Sequence, residues 1–200
     1  MKKNLLLLLL LSSFICFGQK KDKRYGDYSA HLSAVEVPKN VTLGTVDTVL
    51  SIYEDSLIKI DWDYAATQIG FELKNKSDQS LKILWDDAAI VSMTNEMSKV
   101  FHKGIKYIDR ENFQPPTSVY KGTTLSDLVA PTSYVSYTSG QYGGWSSRPL
   151  IPVKRHLSIK VEYDESLIGQ NMRVILPIKK DDQTIEYTFI FKTEFLEKKK

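Results

Sequence analysis

The sequence predicts an all-β fold: an antiparallel β-sandwich of about seven to nine strands, immunoglobulin-like in outline, with a long loop excursion in mid-chain. Short runs on both sides of the centre alternate apolar and polar side chains with a period of two, the mark of a half-buried strand. Turn formers separate these runs. No window carries a helical apolar stripe longer than about two turns, "TTLSDLV" at 123–129 being the best short candidate.

The chain opens Met1-Lys2-Lys3-Asn4, continues with seven leucines from Leu5 to Leu11, and stays uncharged through Phe17. A basic start, a short apolar stretch and a small residue at a cut site make residues 1–18 a secretory signal peptide. The run is too short to span a bilayer as a helix, which takes about 20 residues. Cleavage after Gly18, with Cys16 and Gly18 as the small residues that a signal peptidase reads, leaves Gln19 as the new N-terminus. The alternative is lipidation of Cys16, but Ser13-Phe14-Ile15 is bulkier than the residues that precede a lipidated cysteine. Cys16 is the only cysteine, so cleavage leaves a chain with no thiol nucleophile, thiolate metal site or disulfide. Either way the product is exported, to the periplasm or cell surface, and is held at the outer membrane if Cys16 is lipidated.

The leader holds two of the 27 basic residues and none of the 24 acidic ones, so the formal net charge of the remainder falls from +3 to +1. The basic stretches "QKKDKR" at 19–24 and "EKKK" at the C-terminus read as solvated tails. Nothing in this balance calls for nucleic acid, and no transmembrane span is expected in the mature chain.

Residues 19–45 are polar, with scattered tyrosines, Pro38 and Gly44, and read as a spacer and irregular lead-in to a sandwich domain over 46–196. In "LIKIDWDY", Ile58, Ile60, Trp62 and Tyr64 point one way; in "QIGFELK", Ile69, Phe71 and Leu73 do. "NKSDQS" at 75–80 reads as a hairpin loop leading to "LKILW", with Leu81, Ile83 and Trp85 inward. Later strands are "HLSIKVEY" (Leu157, Ile159, Val161, Tyr163), "NMRVILPI" (Met172 to Ile178) and "TIEYTFIFKTEF" (Ile185 to Phe191), the last two joined by a turn at Lys180–Gln183. The insertion at 103–152 carries five of the seven prolines and the Gly/Ser/Tyr-rich run "SYVSYTSGQYGGWSSRPLIP", which predicts loops with one edge strand.

Chemistry-bearing residues are sparse. Asp61 and Asp63 flank Trp62 on an outward strand face, about 7 Å apart, a spacing that suits a cation or acid/base work and equally a solvated face. Asp86 and Asp87 follow Trp85 at a strand end, where consecutive side chains diverge and bond local amides; oxygen-only calcium binding stays open there. His31, His102 and His156 form no metal-ligand spacing. There is no Gly-x-Ser-x-Gly elbow, no Ser-x-x-Lys set, and "SGQYGGWS" lacks a Walker lysine. Neither a cofactor nor a catalytic residue is assigned. The candidate ligand-binding residues are Tyr134, Tyr137, Tyr142, Trp145 and Arg148, because rigid aromatics among glycines and serines are the make-up of recognition loops for sugars or extended peptides. The competing reading is that these rings fold back over the open end of the sandwich.

The run "IGFELKNKSDQSLKILWDDAAIVSMTNEMSKVFHKG" resembles a group of small exported bacterial proteins, many of them lipoproteins. In that group a strand ending Leu-x-Asn-Lys-(Ser/Thr)-Asp precedes an Ile-x-Trp strand. The matching residues here are Phe71, Leu73, Asn75, Lys76, Ser77, Asp78, Ile83, Trp85, Asp86, Ser98 and His102, and the late "YTFIF" strand fits as well. The resemblance implies an immunoglobulin-like fold and the envelope compartment, and no catalytic residue. The expectation is an exported, non-catalytic binding or accessory protein whose partner is an envelope protein or glycan. The rivals are a structural or assembly subunit of an envelope complex, and a hydrolase built on Asp61, Asp63, Asp86 or Asp87.

Overall fold

A computed structural model describes residues 25–153 and 161–197. The leader with Cys16, and the Leu157 and Ile159 half of "HLSIKVEY", lie outside the described residues. The strands are β1 (Tyr25–Glu36), β2 (Thr45–Asp47), β3 (Ile52–Glu54), β4 (Ile58–Ala65), β5 (Gln68–Asn75), β6 (Leu81–Ile83), β7 (Ala89–Val91) and β8 (Met97–Phe101). They continue with β9 (Thr117–Val119), β10 (Thr124–Pro131), β11 (Val135–Thr138), β12 (Gly144–Ser147), β13 (Val161–Glu162), β14 (Asn171–Lys180) and β15 (Gln183–Glu197). Every ladder is antiparallel.

Thirteen strands form one curled sheet in the order β13-β1-β15-β14-β7-β8-β10-β5-β4-β3-β2, with β6 and β9 attached beside β14; β11 and β12 form a separate hairpin. The sheet folds back so that β15 faces β3 and β4. Trp62 of β4 meets Phe189 and Phe191 of β15 at ring-centroid distances of 4.8 and 5.3 Å, and Tyr53 of β3 meets Tyr187 and Phe189 at 5.9 Å each. Pairs of this kind add roughly 0.5–1.5 kcal/mol each beyond the area they bury. The predicted all-β, antiparallel, sandwich-like fold is therefore present, with more strands than expected. Four three-residue strands, β2, β3, β7 and β9, are too short to register as alternation, whereas the equally short β6 is the expected "LKILW" strand.

Three local expectations are corrected. The spacer at 19–45 contains β1, twelve residues long and paired with β15 over nearly its whole length. Tyr28, Ala30 and Leu32 face inward, but a bulge between Leu32 and Ala34 resets the register so that Val35 is the next inward residue. That slip, with the small inward Gly26 and Ala30, erases the period-two signal. The helical candidate "TTLSDLV" lies in β10, whose inward set includes the buried Asp127; an acid at an inward position breaks the pattern. The insertion 103–152 thus supplies four strands, and β10 is interior to the sheet, between β5 and β8. Finally, "NKSDQS" is not a hairpin loop: β5 pairs with β4 and β10, while β6 pairs with β14 and β9, so the segment crosses between layers.

A polar knot ties the layers together. Asp55, in the β3–β4 turn, accepts the Tyr53 hydroxyl (3.1 Å) and the Tyr187 hydroxyl (2.8 Å) on Oδ2, and the amides of Leu57 (2.7 Å) and Ile58 (2.8 Å) on Oδ1. Both tyrosines are fully buried. Burial, and then the nearby Asp55 carboxylate, push Tyr53 up to about 12 and raise Tyr187 further; burial alone takes Tyr64 to about 12. An unfolded tyrosine ionises near pH 10, so above that pH the unfolded chain releases protons that the folded chain keeps. The stability these hydroxyls confer is intact below about pH 10 and is lost as pH rises through about 12. Urea midpoints are expected to hold up to about pH 10 and to fall steeply towards pH 12; a flat midpoint, with all tyrosines ionising near pH 10 in the folded protein, contradicts this.

Among the described residues no helix is long and apolar enough to cross a membrane.

Candidate functional site

The β11–β12 hairpin projects from the insertion, and its register sorts the five predicted residues. Tyr137 is paired with Trp145 and Val135 with Ser147, so these side chains share one face. The other face carries Ser136 and Ser146, whose hydroxyls lie 3.1 Å apart, and the ladder continues through the Arg148 amide donating to the Tyr134 carbonyl (3.0 Å). Alternation along a strand therefore sends Tyr137 and Trp145 one way and Tyr134 and Arg148 the other. Tyr142 sits at the turn and is 95% exposed. The turn is tight because Gly143 has no side chain: a Cβ there would lie 2.1 Å from the Thr138 carbonyl oxygen.

On the first face, Trp145 packs between residues far apart in sequence. Its ring lies 5.2 Å from Tyr137 and 6.0 Å from Tyr107, and the Arg110 guanidinium sits 5.3 Å from its centroid. Arg110 is itself pinned: Nε donates to the Thr132 carbonyl (3.0 Å) and one terminal nitrogen to the Tyr107 carbonyl (2.7 Å). Below them, Phe101, Ala130 and Val135 form a small second core, with Ile105 and Leu128 against it, and Tyr107 meets Phe101 edge-on at 5.7 Å. The rings are held from beneath yet stay open above: Tyr137 is 62%, Trp145 41% and Tyr107 39% exposed. This is a rigid aromatic platform with a cation at its margin.

Tyr107 and Arg110 are functional candidates that the sequence reading missed. The only trace they leave is an aromatic and a cation in the polar loop "GIKYIDRENF", whose contact with the hairpin depends on the second core.

On the second face, the Arg148 guanidinium lies over the Tyr134 ring at 3.8 Å, a cation–π pair that at an exposed site is favourable by about 0.5–1 kcal/mol. The two border a cleft of about 420 Å³ between the β7–β8 turn and residues 149–153.

The acids stand apart from both features. Asp61 and Asp63 are exposed on β4; Asp61 is opposite Glu72, and partial burial and then the Glu72 charge raise its pKa. Asp86 Oδ1 is 3.6 Å from Lys99 Nζ, and Asp87 is exposed on the short 3-10 turn Trp85–Asp87. Among the described residues no group of three or more His, Cys, Asp or Glu side chains is placed to hold a metal ion. His31 lies 3.7 Å from Glu194, and His156 is outside the described residues.

His102 is the histidine with the most built surroundings. Its ring stacks on Trp85 at 4.3 Å and 4°, and Nδ1 lies 3.2 Å from Asp127 Oδ2, while Asp127 Oδ1 accepts the amides of Lys103 (2.8 Å) and Leu128 (2.7 Å). Trp85 Nε1 in turn donates to Thr117 Oγ1 (2.7 Å). This cluster fixes where the insertion leaves β8 and explains why an acid occupies the inward position 127.

No family model, no curated protein and no solved structure matches this chain.

Proposed function

We propose that this chain is an exported, non-catalytic binding protein of the bacterial cell envelope that recognises a glycan or an extended peptide on the Tyr107–Tyr137–Trp145 platform. The observation that supports this is the cross-strand pairing of Tyr137 with Trp145, both well exposed, with Trp145 braced by Tyr107 and Arg110. Fixed aromatic rings give a ligand large contact area at low entropic cost, and their faces suit the C–H side of a sugar ring or the flat backbone of a peptide. Arg110 supplies a cation and donors at the margin of the platform.

Trp145 is the natural probe. Trp62 and Trp85 are 4% and 1% exposed, so a ligand that changes tryptophan emission at constant fold reports on Trp145. Soluble oligosaccharides released from bacterial cell walls, and a set of extended peptides, are expected to shift this emission in at least one case. Measured by calorimetry, since the substitution removes the emitting ring, Trp145→Ala is expected to weaken that binding about 30-fold, corresponding to about 2 kcal/mol for an aromatic anchor. Unchanged binding in Trp145→Ala and Tyr142→Ala transfers the weight to the assembly-subunit reading.

A further inference from the structure

The cleft on the opposite face of the hairpin carries two opposite charges without partners. Arg148 borders it from the end of β12 and Glu96 from the β7–β8 turn, with Leu150, Pro152 and Val153 as apolar wall. Among the described residues, no carboxylate lies within ion-pair distance of Arg148, no cation lies within that distance of Glu96, and the two are not paired with each other. The described contact of the Arg148 guanidinium is its face on Tyr134, which leaves the N–H groups at its edge to donate. Glu96 is held in place by its backbone: its amide donates to Ser92 Oγ (3.1 Å) and its carbonyl accepts the Ser92 amide (2.8 Å), closing a turn in which Asn95 has φ +61°. Two charges of opposite sign that line one cleft without pairing with each other present complementary partners for a molecule bearing both charges.

We infer that this cleft binds a small zwitterion of the amino-acid type, with its carboxylate on Arg148, its ammonium on Glu96 and an apolar side chain against Leu150, Pro152 and Val153. The planar guanidinium accepts a carboxylate through two parallel hydrogen bonds, a geometry that the Tyr134 stack pre-orients. A volume of about 420 Å³ lies within the range of small-ligand pockets. A free amino acid and a short peptide with both termini free share this chemistry. The site is independent of the aromatic platform, because the hairpin register separates the two faces.

The test uses calorimetry on the mature chain with leucine, leucyl-leucine, N-acetyl-leucine and leucinamide. Leucine or leucyl-leucine is expected to bind, and which of the two binds more tightly identifies the source. Blocking the ammonium or the carboxylate is expected to weaken binding at least ten-fold. Arg148→Gln is expected to abolish discrimination against leucinamide, and Glu96→Gln discrimination against N-acetyl-leucine. Both side chains are exposed, so the variants should melt like the parent, which a thermal scan checks. The inference is overturned if neither zwitterion binds at about 10 mM, a level that registers even weak complexes, if the blocked analogues bind equally, or if both variants retain full discrimination.

Discussion

Asp55→Ala is expected to lower the unfolding free energy by about 4 kcal/mol, from two lost charge-assisted tyrosyl bonds at about 2 kcal/mol each. The two hydroxyls concerned, on Tyr53 and Tyr187, belong to side chains that are fully buried in opposite layers of the sandwich, so deletion of the shared acceptor strands both donors. The amides of half-buried Leu57 and buried Ile58 lose their Oδ1 acceptor as well, and any part of that loss that water does not make good adds to this figure. For a chain of this size the melting temperature should fall by about 8–16 °C. Asp55→Asn discriminates further. Oδ2 faces two hydroxyl donors and Oδ1 faces two amide donors, so an NH2 group on either side opposes two donors. About half of the alanine effect is expected. Tyr187→Phe combined with Asp55→Ala should cost less than the sum of the two single changes, because removing donor and acceptor together leaves one orphan fewer. Urea midpoints at constant slope measure all three variants, and an Asp55→Ala cost below about 1 kcal/mol contradicts the account.

How far the fold is legible in the sequence depends on whether each strand's burial follows its local pattern. β4, β5, β14 and β15 have one inward face and regular pleat, so Ile58, Ile60, Trp62 and Phe71, or Val174, Leu176 and Phe189, announce themselves as alternation. β1 does not, because the bulge after Leu32 changes which parity is inward. β10 does not, because its inward Asp127 is neutral to the fold only when His102, Lys103 and Leu128 supply donors, and that is a tertiary fact. The candidate surface is half legible for the same reason. Tyr137 and Trp145 flank "TSGQYGG" and so read as an aromatic loop, but their separation from Tyr134 and Arg148 follows from register. Tyr107 and Arg110 reach Trp145 only because Phe101, Ala130 and Val135 pack beneath them. Composition marks the aromatic segment; pairing divides it into a platform and a cleft.

Asn75→Ala is expected to cost about 4–5 kcal/mol, in the range reserved for breaking a buried hydrogen-bond network. Asn75 ends β5 with no exposed surface, and its side chain makes four hydrogen bonds. Nδ2 donates to the Gln79 carbonyl (2.7 Å) and the Val119 carbonyl (2.8 Å), and Oδ1 accepts the Ser77 amide (2.9 Å) and the Ser77 hydroxyl (2.7 Å). Its backbone adds two more, to Thr123 and from Gly122. The sequence "NKSDQS" supplies turn formers, but turn formers alone yield a hairpin. What converts this segment into a crossing between layers is an amide that bonds forward to Gln79 and across to β9 at Val119. Without it, the Val119 carbonyl and the Ser77 amide lose their side-chain partner, while the Gln79 carbonyl keeps the Ser77 hydroxyl, at roughly 1–3 kcal/mol for each group that stays unsatisfied. Ser77→Ala removes one donor to Asn75 together with its own bond to Gln79, and should cost only about 1 kcal/mol. Asn75→Asp keeps the Ser77 bonds but sets a carboxylate oxygen against two carbonyls, and an unpaired buried charge should make it at least as damaging as alanine. The ranking of Ser77→Ala well below both Asn75 variants, read from urea midpoints, is the critical outcome. If Asn75→Asp proves as mild as Ser77→Ala, the two Nδ2 bonds are not what holds the crossing.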